Sequence, residues 1–390
     1  MPAAANDSEQ EDLMSSRRDF LKTLAGVSAG AYFLADGAIG LARQPQQGAK
    51  HAPPMVAGRR VKTIDVHCHV DVPGIADFLK GTPLERAVNR PAPTGRQLQG
   101  VSDFNIDVPL GPERLAKMDE MGIDVQAVSI NAFWYSADRD LAARLIDFQN
   151  EKLAAMVKAT NPERFVAFAS VALQFPELAA KQLEEGIKRW GLRGAAIGGS
   201  VPGEELSSPK FDPFWAKAEE MQALVFMHPQ NSAMGTGIWN RVQGNGVLGN
   251  VIGNPLETTI FLSHMIMEGT LDRFPNLKIC AAHGGGYLPS YADRLDHGCV
   301  TFPEQCNRKL KKKPTEYLRQ IYVDSLVFSP EALRHLVAVV SADHIGLGTD
   351  YPYPWTNTPV DHLMATPGLS DADRTAILGG TMSKLLRISA

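Results

Sequence analysis

The sequence predicts a closed (β/α)8 barrel, a TIM barrel with long loops on its catalytic face. Three observations predict it. From residue 61 onward, eight short apolar runs alternate with helical patterns. Most of the runs are continuously apolar and β-branched, as parallel strands covered on both faces must be. Histidines and one aspartate stand at the C-terminal ends of four runs, where barrels of this kind build their sites.

The strand runs are Val61–Val66, Val125–Ile130, Phe165–Ala172, Gly194–Ile197, Leu224–Met227, Leu277–Ala282, Ile321–Ser325 and His344–Gly348. Helical patterns lie between them at Pro112–Met121, Ala137–Thr160, Pro176–Trp190, Phe211–Gln222, Pro255–Phe274 and Pro330–Val340. Pro112 and Pro330 fall at helix starts, where a missing N–H costs nothing. Gly122 and Gly269 fall where helices end. A doubly wound open sheet is the competitor, but no Gly-x-Gly-x-x-Gly follows the first strand. Two long connections, 71–111 and 230–254, follow the first and fifth strands and so belong to the catalytic face.

The 390 residues suit one barrel with additions, and 44% hydrophobic against 21% charged residues is ordinary for a globular chain. A net charge of −4 with no basic stripe argues against a nucleic-acid partner. The basic run Lys309 to Lys313 is read as a solvated loop or helix end. Four cysteines form no Cys-x-x-Cys pair; Cys68 and Cys280 lie in apolar runs as buried thiols. Cys299 and Cys306 are read as unpaired, since they meet only if the chain turns between them at Pro303.

The N-terminus reads as an address. Ser15-Ser16-Arg17-Arg18-Asp19-Phe20-Leu21-Lys22 precedes a modestly apolar, Gly/Ala-rich run to Ala35, the pattern of a twin-arginine signal peptide. The run is shorter than the ~20 residues of a membrane span, and Asp36 interrupts it. Residues 1–42 are therefore assigned to export, 43–60 to a linker and 61–390 to the barrel. The export machinery would be a partner, and the periplasm or beyond the destination of an already folded, metal-loaded protein.

The stretch Ile64-Asp65-Val66-His67-Cys68-His69 carries the chemistry. Side chains at i and i+2 share a face of a strand, so both imidazoles point one way and Cys68 the other. Neutral imidazoles suit a divalent metal such as zinc. His228 ends the fifth run, His283 the sixth and Asp350 the eighth. Each alone is an ordinary capping or core residue, but together they converge on one barrel mouth. Trp134, Tyr135, Trp239, Tyr287 and Trp355 stand near the same face, as an aromatic pocket for a flat substrate or as loop packing.

The stretch Gly269–His297, GTLDRFPNLKICAAHGGGYLPSYADRLDH, and GLGTDYPYP at 346–354 carry a resemblance. The chain resembles the amidohydrolase-related family, in the branch of the carboxymuconate-semialdehyde and aromatic-acid decarboxylases, over nearly all of 61–390. The resemblance implies that His67, His69, His228 and Asp350 bind one metal, usually zinc, with manganese or iron as alternatives. It implies that His283 is the catalytic acid/base, with Asp350 assisting. It places Arg294 where a substrate-carboxylate arginine stands, reaching the active site of a neighbouring subunit in a homodimer; an ion pair with Asp293 or Asp296 is the other reading. Two features depart from the semialdehyde decarboxylases: Gln230-Asn231-Ser232 stands where they carry a tryptophan, and Val101-Ser102-Asp103-Phe104 replaces a stretch holding an arginine. The expected activity is non-oxidative decarboxylation of a small aromatic or unsaturated acid. Hydrolysis of a lactone, ester or amide is the alternative, followed by a hydratase or a non-catalytic barrel.

Overall fold

A computed structural model describes residues 50–88, 108–230, 241–242, 247–307 and 310–389. The twin-arginine segment, Trp239, Val101 to Phe104 and parts of both long loops lie outside the described residues. The described residues belong to one compact unit, Lys50–Ala390.

The eight expected strands are all present. They are β1 (Ile64–His69), β2 (Val125–Ser129), β3 (Phe165–Ala167), β4 (Gly194–Ile197), β5 (Leu224–Met227), β6 (Lys278–Ala281), β7 (Tyr322–Asp324) and β8 (Ile345–Gly346). The third strand continues past Phe168 as Ala169–Ser170, so β3 pairs with β2 while its continuation pairs with β4. Every neighbouring pair is parallel, for instance Leu224 opposite both Gly194 and Lys278. Bridges from Asp65 to Leu347 and from Cys68 to Tyr351 join β1 to the eighth strand and close the barrel.

The helices on the outside are α1 (Pro112–Met121), α2 (Arg139–Thr160), α3 (Pro176–Lys188), α4 (Asp212–Glu220), α5 (Asn254–Met267), α6 (Leu288–Thr301) and α7 (Pro330–Val340). Local chemistry starts and stops them. Asp138 and Ser329 accept hydrogen bonds from Leu141 N and Ala332 N, capping α2 and α7. Gly122 (φ 73°) ends α1 in the left-handed region, where a side chain is strained. Gly269, also at φ 73°, divides the expected helix Pro255–Phe274 into α5 and a short turn, Thr270–Arg273.

The core has two parts. One lies inside the barrel and includes Ile64, Val66, Phe168, Phe226 and Cys280. The other joins strands to helices, for example Val128 and Ile197 with Leu145, Leu183 and Phe214. The register of β1 against β2 shifts between Asp65 and Cys68. Beyond that shift Cys68 packs into the strand–helix core while the flanking histidines point to the barrel mouth.

Two further details differ from the sequence reading. Within the expected linker, Met55–Val56 pairs with Arg59–Arg60 as a small antiparallel turn. Cys299 and Cys306 form a disulfide rather than two thiols. The chain does turn between them: α6 ends at Thr301, and Pro303 begins a new short helix, Pro303–Asn307. Cys68 and Cys280 are buried free thiols, as expected. Of the basic run, Lys311 N donates to Asp272 and Lys312 lies over the Tyr317 ring.

Candidate metal centre

The four strand-end residues meet. Donor atoms of His67, His69, His228 and Asp350 all lie within 4.8 Å of one another, and all four residues are buried. Asp350 Oδ1 is 3.2 Å from His67 Nε2, 3.0 Å from His69 Nε2 and 3.9 Å from His228 Nε2. Ligands about 2.1 Å from a tetrahedral ion stand roughly 3.4 Å apart, so the spacing fits.

The surroundings fix which nitrogen faces inward. His67 Nδ1 donates to Asp324 Oδ2 at 2.6 Å, which leaves Nε2 to face Asp350. His69 Nδ1 donates to Ser129 Oγ at 3.1 Å, and that hydroxyl donates to the Cys68 carbonyl at 3.2 Å. Hydrogen bonds from the outer ring nitrogen are how metal-binding imidazoles are oriented. Asp324 and Ser129 terminate β7 and β2, and the sequence reading assigned neither. Their signal was available, since both are polar residues at C-terminal strand ends.

His67 Nε2 and both nitrogens of His228 are buried with no hydrogen-bond partner. A buried acceptor without a donor is costly, and a cation held by three imidazoles and a carboxylate would resolve His67 Nε2 and one nitrogen of His228 together. The residues therefore fit a divalent metal ion. Burial disfavours a charged His67, yet Asp350 and Asp324 outweigh it and push its pKa up to about 10. Burial lowers His69 and His228, while Asp350 is held well below the carboxylate range despite its burial, chiefly by His67.

His283 stands beside the donors, with Nε2 3.8 Å from Asp350 Oδ2 and its ring 5.1 Å from that of His67. Both His283 (φ 58°) and Asp350 (φ 61°) are left-handed, a conformation costing about 1–3 kcal/mol in a residue other than glycine. Hydrogen bonds hold them there. His283 N and Gly284 N donate to the two oxygens of Asp324 at 2.8 Å, and Asp350 N donates to His67 O at 2.7 Å. Asp324 thus orients one ring and anchors the turn carrying another.

A second buried layer supports β1 from below. Asp65 accepts from His67 N, Thr349 N, Thr349 Oγ1 and Gln126 Nε2, while burial raises its pKa to about 6. Arg114, fully buried, donates to Gln126 Oε1 and His69 O and lies 4.8 Å from the Tyr351 ring. The sequence reading gave none of these a role.

The remaining candidates separate. Trp134 is fully buried and donates to Val171 O, which makes it packing rather than pocket. Tyr135 is buried too, its hydroxyl accepting from Gly198 N. Trp355 packs near Phe328. Tyr353, which the sequence reading passed over, is the aromatic facing His69, at 6.0 Å. Arg294 is exposed on α6. Asp296, one of its expected partners, accepts instead from Thr315 N and Oγ1, and among the described residues no ion pair joins Arg294 to Asp293 or Asp296.

Fold and centre together define a metal-dependent barrel enzyme. The amidohydrolase family model matches residues 64–388, and the chain belongs to that family. It is 32% identical over 280 residues to 2-amino-3-carboxymuconate-6-semialdehyde decarboxylase of Dictyostelium discoideum, covering 70% of this chain and 75% of that one. It is similar in structure to 5-carboxyvanillate decarboxylase LigW from Sphingomonas paucimobilis, with a TM-score of 0.73 and 27% identity over 84% of this chain and 100% of that one. A dihydroxybenzoic acid decarboxylase from Polaromonas sp. JS666, solved with manganese and the inhibitor 2-nitroresorcinol, gives 0.71 and 25% over 84% and 97%.

Proposed function

We propose that the chain is a metal-dependent carboxy-lyase that removes CO2 from a small aromatic or unsaturated carboxylic acid without redox chemistry. The observation that carries this is the place of His283. Its Nε2 lies 3.8 Å from Asp350 Oδ2, beside the metal donors. Decarboxylation without redox chemistry needs one proton delivered to the carbon bearing the carboxylate. His283 supplies that proton. The carbon–carboxylate bond then breaks, its electrons restore conjugation, CO2 leaves, and a proton from solvent reloads the imidazole. Asp324 holds the turn that carries His283, and Asp350 Oδ2 faces its Nε2 at 3.8 Å. A divalent ion, when bound, supplies Lewis acidity that fixes an anionic oxygen of the substrate or acidifies water.

Zinc is the ion favoured by three imidazoles and one carboxylate; manganese, present in the Polaromonas enzyme, is the alternative. Arg294 binds the substrate carboxylate of a second copy, and the protein works as a homodimer. The support is the surface around it: Tyr291, Val300 and Phe302 are 68%, 78% and 59% exposed on and just beyond α6, an apolar patch of the kind that marks interfaces. The Arg17-Arg18 segment sends the folded, metal-loaded protein to the periplasm, and a Cys299–Cys306 disulfide suits that oxidising destination.

The test joins metal analysis to a substrate panel. The purified protein is quantified for bound metals by mass spectrometry. It is then offered hydroxybenzoates, carboxylated muconates and lactones, with CO2 release and ring opening followed separately. One metal per chain with CO2 release is expected. Hydrolysis without CO2 would move the reading to the hydrolase branch, and no metal after reconstitution with zinc or manganese would overturn it.

A further inference from the structure

Three imidazoles converge on the centre, and side chains hold two of them: His67 by Asp324 and His69 by Ser129. His228 has no such support, since neither ring nitrogen has a hydrogen-bond partner. Its placement therefore falls to its backbone. His228 N donates to Ile197 O, the last residue of β4, at 2.9 Å. Two residues on, Gln230 N donates to Glu257 Oε2 at 2.8 Å.

Glu257 lies in the first turn of α5 and is 3% exposed. The other oxygen of the carboxyl, Oε1, is buried without a hydrogen-bond partner and packs against Gly199, two residues past β4. Gly199 has no room for a side chain: a Cβ there would stand 2.8 Å from both Glu257 Oε1 and Cγ and 2.7 Å from Met227 Cε. One carboxyl thus touches the ends of β4 and β5, the two segments whose backbone sets His228, by packing against Gly199 and by a hydrogen bond from Gln230 N.

A carboxyl is costly in this position. Burial pushes its pKa up to about 8, and a leucine would fill the space without that cost. An acid in a first helical turn often serves its own helix, but the N–H that Glu257 accepts, Gln230 N, belongs to the segment that follows β5. We propose that Glu257 is the positioning residue for His228, holding the His228-Pro229-Gln230 turn by its backbone where Asp324 and Ser129 hold the other two imidazoles by their rings.

The inference rests on His228 being a metal ligand, and the experiment separates the two. Mn2+ affinity is measured by chelator competition in the full chain and in the variants His228→Ala, Glu257→Leu, Glu257→Gln and Gly199→Ala. The visible spectrum of the Co2+ form and the melting point of the metal-free form are recorded beside it. Glu257→Leu is expected to weaken Mn2+ binding about 10–100-fold, the usual effect of losing an outer partner of a ligand. Glu257→Gln, which keeps one acceptor oxygen, should lose less. Gly199→Ala, pressing on the same carboxyl from the other side, should lose affinity in the same direction and shift the Co2+ bands. A purely structural role would lower the metal-free melting point and leave the Co2+ spectrum unchanged, which overturns the proposal. Loss of metal in His228→Ala with unchanged affinity in the Glu257 and Gly199 variants overturns it as well. Unchanged affinity in His228→Ala removes the ligand assignment itself. If Glu257→Leu does not fold, Glu257→Gln and Gly199→Ala carry the measurement.

Discussion

Replacing Asp324 with Asn tests the electrostatic design of the centre most directly. Asp324 is fully buried and accepts four hydrogen bonds: from His67 Nδ1 at 2.6 Å, His283 N and Gly284 N at 2.8 Å, and Leu326 N at 2.9 Å. Alanine is too severe, because four unpaired buried donors would cost about 4–12 kcal/mol, the margin of a whole fold. Asparagine keeps the shape but has only one oxygen. If its NH2 faces His67 and His283, His67 must accept at Nδ1 and carry its proton on Nε2. Nε2 is the nitrogen that faces Asp350, so the proton occupies the ligand position. If the amide turns over, Gly284 and Leu326 lose their acceptor and the turn bearing His283 loosens. Either way two donors go unmatched, for a loss of about 2–6 kcal/mol in stability and about 10–100-fold in metal affinity. Both are measured on one preparation, by Mn2+ titration against a chelator and by thermal melting of the metal-free protein. If affinity and melting point both match the wild type, Asp324 does not orient His67 and the argument fails.

Asp350→Ala, which removes the carboxylate common to all three imidazoles, should lose both metal and activity; retention of one metal per chain by mass spectrometry would sink the site assignment. Arg294→Ala should raise KM for carboxylate substrates about 10–100-fold, the worth of a charge-assisted hydrogen bond, with kcat less affected; an unchanged KM would remove Arg294 from the substrate site. Mixing Arg294→Ala with His283→Ala protein should restore some activity through hybrid dimers if Arg294 acts across the interface. Cys299→Ser with Cys306→Ser opens a loop closed over a separation of seven residues, and chain entropy sets the loss at about 2.5 kcal/mol; denaturant unfolding with and without reductant measures it, and equal stability in both would show that the bridge contributes nothing.

The barrel was legible because its signal is repeated. Eight apolar runs had only to alternate with helices, and an error of a few residues at any boundary left the pattern intact. The meeting of His67, His69, His228 and Asp350 was legible because a barrel gathers its strand ends, so the four could be brought together from their places in the runs. What escaped were residues whose role depends on contact rather than position. Arg114 is an ordinary charged residue in the helix Pro112–Met121 until folding buries it against His69 O and the Tyr351 ring. Trp134 has the look of a pocket residue until its indole turns inward to Val171. The Cys299–Cys306 bridge depended on a turn whose closure no spacing rule determines. Asp324 is the exception, since the rule that found Asp350 at the end of one strand applied equally to it.

The three imidazoles show why ligand identity alone does not describe the centre. His67 is oriented by a carboxylate that also anchors the His283 turn, so its support is coupled to the proposed proton donor. His69 is oriented by a hydroxyl whose own proton is committed to the Cys68 carbonyl, so its support is local to β1 and β2. His228 depends on backbone held between β4 and α5. Perturbing each should therefore leave a different trace. Loss of the Asp324 carboxylate affects metal binding and proton delivery together. Loss of the Ser129 hydroxyl affects metal binding alone and mildly, because a neutral hydrogen bond contributes only about 0.5–1.5 kcal/mol. Loss of the Glu257 carboxyl displaces a ligand without touching His283. A Ser129→Ala variant whose turnover at saturating metal matches the wild type, set beside an Asp324→Asn variant whose turnover does not recover, would separate a support that only holds the ion from one that also places the acid.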